Sequence, residues 1–404
     1  MKALRIARGL PVAPFDDPVG AEEILGRPLA EIQVEELQAA GFTLVDQAPS
    51  NEPYLVFSDR TWFTRGALRR FVAQAEAPAR LRVEHEGFLA MTEGVQQWPE
   101  RGLYEVALLP AGHAPGFQAP AVTVDLGFED APVAREHPAM AHAMPEALSV
   151  SDAQVHQIDH WSHILRVNWL AMASTIQREK RNFEALNVFV KAWRIAGLLL
   201  RVRSLNEFRL AAGLTQLGKK CRIHPTAVVE ASVLGDDVEV GPFAVVRASV
   251  VGDGARIEEF ATVNMSVIGR GARVGRRGTA NLSVLYQGAM VSAANGYQAC
   301  LFGRDSFCAW STTAFDLSFK DPIKVWYRGQ RVSSGTYFLG AVMGHRARLG
   351  GLVSLGYGSE VPNDAFVVGS ARNVLRSWEA GEGPHRVVDG VARPVKGPRP
   401  TEEE

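Results

Sequence analysis

The chain is poor in cysteine, in net charge and in long apolar runs. Three cysteines (Cys221, Cys300 and Cys308) among 404 residues are too few for a disulfide scaffold. A net charge of −1 gives the whole chain no electrostatic reason to bind nucleic acid. The most apolar stretch, Leu186 to Leu200, is broken by Lys191 and Arg194. It falls short of the roughly 20 clean apolar residues that a membrane span needs. The opening MKALRIARGLPVAP has bases but no apolar run of signal-peptide length, so the cytoplasm is the expected compartment. What is present is an ordinary globular mix, 47% hydrophobic and 22% charged, which excludes wholesale disorder and a collagen-like chain. The length predicts two or three domains.

Charge is unevenly placed. Residues 1–160 carry 12 Lys/Arg against 23 Asp/Glu, a net of −11, whereas residues 161–222 carry 12 against 3, a net of +9. An acidic front and a basic middle imply different surfaces with different partners, one option being each other.

From residue 223 the sequence repeats with a period of 17. Ile223, Val240, Ile257, Val274 and Val291 form one series, and Leu234, Val251, Ile268, Leu285 and Phe302 a second. Ser232, Ser249, Ser266 and Ser283 form a third, and Val238, Ala255, Ala272 and Ala289 supply a small residue in each unit. Aliphatics within a unit are spaced six, five and six, as in Ile223, Val229, Leu234 and Val240. Helical spacing of three and four is absent. Three sides of about six residues describe a triangular coil, with one aliphatic per side inward and Gly or Asp at turns; stacked coils then bury a continuous core. The period weakens after Phe302 and returns at Leu349, Leu355, Val361 and Val367, leaving an excursion at about 311–340.

This pattern, opening with IHPTAVVEASVLGDDVEVGPFAVV, resembles the hexapeptide-repeat family, whose fold is the left-handed parallel β-helix. The resemblance implies an acyltransferase that uses acyl-CoA or acyl carrier protein, acts on a small-molecule acceptor and assembles as a homotrimer. The period of 17 departs from the family's common 18, so one corner per coil is expected to be a residue short.

Residues 1–150 read as α/β. PYLVFSD (53–59), GLYEVALLP (102–110) and AVTVDLGF (121–128) are strand candidates, and TRGALRRFVAQAEA (64–77) is a helix capped by Thr64. The order of an α/β unit followed by a β-helix resembles the bifunctional uridyltransferase/acetyltransferases of UDP-N-acetylglucosamine synthesis and sugar nucleotidyltransferase-like proteins. Such enzymes need a Gly-rich phosphate loop, but ARGLPVAP (7–14) has one Gly, so a degenerate or regulatory domain is expected. The expected organisation is an α/β domain over 1–150, a helical connector over 151–220, the β-helix over 221–372, and a tail over 373–404 with a DG turn in VVDGVARPV. Within the connector, residues 166–203 are basic and amphipathic. They suit packing on the acidic domain or in an oligomer, or attachment to an anionic membrane surface.

The resemblance implies a histidine general base, since an imidazole titrates near the working pH. The β-helix holds two candidates. His224 sits in the opening turn and reads as structural; His345 follows the excursion and is the candidate base. In this family such excursions project over the cleft between subunits. FKDPIKVWYRGQR (319–331) offers Lys320, Lys324, Tyr327, Arg328 and Arg331, a basic and aromatic set suited to the phosphates and adenine of acyl-CoA, or alternatively an ordinary exposed loop. Arg270, Arg273, Arg276 and Arg277 fall on coil corners beside Glu258 and Glu259, and read as paired. Asn264, Asn281 and Gln298 share a phase that predicts an amide ladder, and Cys308 takes a core phase. His156, His160 and His163 at i, i+4 and i+7 would share a helical stripe, with His137 and His142 upstream. Packing or helix capping accounts for them as well as zinc does, and no metal is expected. A γ-type carbonic anhydrase would need three coil histidines, and two are present.

Overall fold

The computed structural model describes residues 1–9, 11–133, 147–370, 374–380 and 385–394. His137 and His142 lie outside the described residues. The N-terminal unit is built on a six-stranded sheet. Its order is Thr43–Val45, Lys2–Ile6, Tyr54–Ser58, Leu103–Leu109, Ala79–Arg82 and Ala121–Thr123. The first three strands are parallel, and Leu103–Leu109 runs antiparallel to both of its neighbours. Helices α1 (Leu29–Ala40), α2 (Arg65–Gln74) and α3 (Glu86–Thr92) accompany the sheet. Thr64 caps α2 as its sequence predicts, its Oγ1 accepting from the Ala67 amide. The strands expected at 53–59 and 102–110 form; that at 121–128 is shorter, Ala121–Thr123.

From Gln216 the chain winds as a left-handed parallel β-helix with three all-parallel sheets of eight, eight and seven short strands. The period of 17 is the register itself: Ile223 pairs with Val240, Val240 with Ile257, Ile257 with Val274 and Val274 with Val291. Leu234, Val251, Ile268, Leu285 and Phe302 stack the same way. These files fill the prism, with Val238, Ala255, Ala272 and Ala289 wholly buried. Asp237, Gly254, Gly271, Gly288 and Asp305 make one corner column in the left-handed backbone region, where Gly costs least and Asp is tolerated.

The short corner has a chemical cause. Each serine of the third series donates its Oγ to the carbonyl two residues back and accepts the amide of the serine one coil on. Ser283 passes this role to the Cys300 amide at 3.2 Å. A side chain that satisfies the stacked amide lets the turn close with five residues rather than six. After the excursion the serine file ends and the step becomes 18, as Met343 pairs with Val361 and Leu349 with Val367. The predicted amide ladder is present, Asn264 donating to Asn281 (3.0 Å) and Asn281 to Gln298 (2.9 Å). Arg273 pairs with Glu258, and Arg276 with Glu259 at 3.0 Å. Cys308 lies wholly buried in the prism. In the tail, His385–Val388 and Val391–Pro394 form a hairpin around Asp389–Gly390, as the DG turn predicts.

Between the two units run α4 (Trp161–Glu184), α5 (Val188–Val202) and α6 (Glu207–Gly213). Helix α4 buries Trp161, Ile164, Leu165 and Val167, and Trp169 Nε1 donates to the Leu282 carbonyl of the β-helix at 3.0 Å. Its bases meet the acidic unit: Arg181 pairs with Asp152 and Lys180 with Glu129. One prism face, carrying Val267, Val284, Tyr286, Leu301 and Val342, shares a single apolar core with the N-terminal unit.

Candidate active site at the docked face

His345 stands at a coil corner just after the strand Val342–Met343. A Cβ at Gly303 would lie 2.8 Å from its Nδ1, so only glycine lets the neighbouring coil approach. That approach brings the Arg304 amide to 2.8 Å, donating to Nδ1. The proton of the neutral ring therefore sits on Nε2, which faces Asp17 Oδ2 at 3.1 Å, with the Arg304 guanidinium, also a donor, 2.9 Å from the same nitrogen and sharing that carboxylate. Asp17 also pairs with the Arg304 guanidinium.

Asp17 arrives from the other end of the sequence. Residues 11–24 run as a strap across the coil corners. The Phe15 ring lies 4.9 Å from His345 and 5.4 Å from Tyr286, and Asn363 holds the strap by donating to the Phe15 carbonyl at 2.8 Å. Asn363 Oδ1 in turn accepts the His345 amide at 2.6 Å. Further along, the Tyr286 hydroxyl donates to Glu22 Oε2 (2.9 Å) and accepts the Glu23 amide (3.1 Å). His345 is 3% exposed and Glu22 fully buried.

Burial sets the protonation of this cluster. It pushes the His345 imidazole down to about 4, with Arg304 and Arg346 adding to the effect, so the ring is neutral at pH 7. It pushes Glu22 up to about 8 against the Tyr286 hydrogen bond, and Glu23 up to about 7. Glu22 Oε1 is buried without a hydrogen-bond partner, so nothing there offsets the cost of a negative charge.

The excursion forms a hairpin, Lys324–Tyr327 against Gln330–Ser333, turning at Arg328 and Gly329. Ile323 and Val325 bury against the N-terminal core, so this side of the hairpin folds back onto its own chain. His160 Nε2 donates to the Trp326 carbonyl at 3.1 Å, and the Tyr327 ring lies 6.1 Å from His160. Lys320, Lys324, Arg328 and Arg331 are exposed, with Arg328 over the Tyr327 ring. The hairpin's contacts run to His160, those of His345 to Asp17 and Arg304; the two sets of candidates occupy different places on the docked face. Beneath the hairpin, Arg60 pairs with Glu105 (2.8 Å) and with Asp159. Burial would raise the Glu105 carboxyl, but bonds from Arg60 and Arg8 outweigh it and hold the group at about 2.

His156, His160 and His163 do not share a helical stripe. His156 lies on a strand paired with Trp62, and His160 caps α4 by accepting the Ser162 amide. The rings do gather, His156 and His163 lying 5.2 Å apart, but through hydrogen bonds to Gln157, Asp159 and Gly94. Among the described residues no group of three metal-ligating side chains is arranged to hold an ion. His224 is an exposed turn residue whose Nδ1 accepts the Thr226 amide.

No family model matches the chain, and no curated protein matches it. Among solved structures it is similar to one described as a hexapeptide transferase family protein from Anaplasma phagocytophilum. The identity is 16% and the TM-score 0.20, covering 39% of this chain and 70% of the other. The β-helix stands on its own three sheets.

Proposed function

We propose that the protein is an acyltransferase of the hexapeptide-repeat type, moving an acyl group from acyl-CoA to an amino or hydroxyl group, with Asp17 and His345 at the reacting centre. The observation that carries this reading is the carboxylate paired with the coil-corner imidazole. Polar and ionisable groups are costly inside an apolar contact, and strongly shifted titrations gather at functional sites. Nε2–H toward Asp17 leaves Nδ1 as the atom that would take the acceptor's proton, and Asp17 would stabilise the imidazolium formed. In the form described here Nδ1 holds the Arg304 amide and Phe15 covers the ring, so the centre opens only when the Phe15 ring swings off and Nδ1 exchanges the Arg304 amide for the acceptor, with Asp17 staying on Nε2. Lys320, Lys324, Arg328 and Arg331, with Tyr327, would hold the phosphates and adenine of acyl-CoA. A homotrimer and a nucleotide-sugar acceptor belong to the same proposal.

The bond from the Arg304 amide to Nδ1 also favours a second reading, a non-catalytic trimeric scaffold or binding module in which His345 only fixes the strap. Two measurements separate them: acetyl-CoA titration by calorimetry, and release of free CoA with amines, sugars and nucleotide sugars as acceptors. Acyl transfer predicts binding, turnover, and a loss of roughly 100- to 10,000-fold in kcat for His345→Gln. Absence of both acetyl-CoA binding and CoA release would overturn it in favour of the scaffold.

A further inference from the structure

The N-terminal unit accepts the bases of α4 and leaves those of α5 untouched. Helix α5 is nonetheless well specified: Asn187 caps its start by accepting the Val190 amide at 2.9 Å, and Arg203 ends it in the left-handed region. No residue of α5 or α6 is buried. Phe189 and Trp193 are 87% and 80% exposed, and with Leu200 they fall at i, i+4 and i+11, one stripe along the helix. The opposite side packs on α6, where Gly213 admits Val202 and Leu198; a Cβ there would lie 2.5 Å from the former. Leu205 and Phe208 continue the exposed apolar surface beyond α5. It runs into a groove of about 490 Å³ between α6 and the first coil, lined by Phe208, Leu217, Ile223 and Val228 with Arg201 and Arg209 beside it and with Glu230, which Arg247 neutralises.

The charge on α5 itself has one sign. Between Glu184 and Glu207 there is no acidic residue, and the bases are Lys191, Arg194, Arg201 and Arg203. At 100° per residue, Lys191, Arg194 and Arg201 gather in one sector, away from the Phe189–Trp193–Leu200 stripe. Among the described residues none of these four bases makes an ion pair. A second copy docking on the same face would set like charges against each other. At 15 residues the helix is about 22 Å long. No helix among the described residues is long and apolar enough to cross a membrane.

We propose that α5, with α6, is a docking surface for an anionic lipid membrane, on which α5 lies flat. The Phe189, Trp193 and Leu200 side chains enter the boundary between headgroups and acyl chains, and Arg194 and Arg201, about 100–120° around the helix from that stripe, extend along its flank to lipid phosphates, with Lys191 adding long-range attraction from the far side. This holds independently of the acyl-transfer reading.

The test is co-sedimentation of the full chain with vesicles of phosphatidylcholine alone, or of equal parts phosphatidylcholine and phosphatidylglycerol, at low and high salt. Binding is expected to the mixed vesicles at low salt, to fall at high salt, and to be at least tenfold weaker on phosphatidylcholine alone. The double variant Phe189→Ser/Trp193→Ser and the triple variant Lys191→Gln/Arg194→Gln/Arg201→Gln should each lose binding at least tenfold. Their circular dichroism should be unchanged, since these side chains carry no buried contact. Absence of binding to the mixed vesicles at low salt would overturn the proposal. Equal binding to both vesicles would overturn the anionic preference. If the Ser variant lowers the oligomeric state in sedimentation without changing vesicle binding, the face belongs to a second copy instead.

Discussion

Ser266 sits at the short corner in the middle of the prism, wholly buried. Its Oγ donates to the Asn264 carbonyl at 2.8 Å and accepts the Ser283 amide at 3.0 Å. Ser266→Ala removes both bonds. The Asn264 carbonyl keeps the Leu282 amide, so it stays partnered. The Ser283 amide loses its acceptor inside the protein, which costs about 1–3 kcal/mol, and this term dominates. We expect Ser266→Ala to lower the unfolding free energy by about 2 kcal/mol. The chain supplies its own control: Cys300 stands in the next place of the same file, with Sγ 3.4 Å from the Ala341 amide. Ser266→Cys should therefore fall between wild type and Ala. The assay is equilibrium denaturation in urea followed by circular dichroism. A Ser266→Ala protein within about 0.5 kcal/mol of wild type, the ordinary range of a neutral surface change, would refute the idea that side-chain oxygens hold the five-residue corner.

Other expectations follow from the same contacts. Glu22 releases its proton near pH 4.5 when unfolded and near 8 when folded, so the folded chain holds the extra proton and loses stability as pH rises towards 8. His345 has the opposite sign, but its contribution changes only between about 6.5 and 4. The unfolding free energy should therefore fall from pH 6.5 to about 8, at up to about 1.4 kcal/mol per pH unit for one full proton, and level off above, with the melting temperature following it; Glu22→Gln should flatten the slope. Arg60→Leu strands the buried Asp159 carboxylate, leaves Glu105 with Arg8 alone, and should cost about 3–5 kcal/mol in urea denaturation. Burial pushes the Cys300 and Cys308 thiols up to about 12, so a thiol reagent at pH 8 should titrate Cys221 quickly and the other two only after unfolding.

The prism was legible because its evidence is local and repeated: five aliphatics 17 apart can stack only if the chain closes a turn in 17 residues. The serine file was visible as spacing, yet its role needed the neighbouring amide, which spacing does not display. The excursion was legible as a break in period, but not the hairpin's return to its own N-terminal core, since Ile323 and Val325 carry no sign of their partner. The site shows the same limit more strongly. His345 was singled out by its place after the excursion, while Asp17 and Phe15 lie more than 300 residues earlier in a segment without periodicity. The histidine triplet was misplaced because its spacing fits a helix; the helix starts at Trp161, where His160 caps it. The basic middle read as one surface, whereas α4 spends its charges on the acidic unit and α5 keeps its own.

Residues 15–17 close over His345, and this burial keeps its imidazole neutral on the docked face. Ring nitrogen and carbon shifts of labelled histidine, followed by NMR from pH 8 to 4 and assigned with His345→Gln, test it directly. The ring is expected to stay neutral, with the proton on Nε2, until close to pH 4. A His345 signal that titrates near 6.5, as a solvated imidazole does, would contradict the closed strap and the site built upon it.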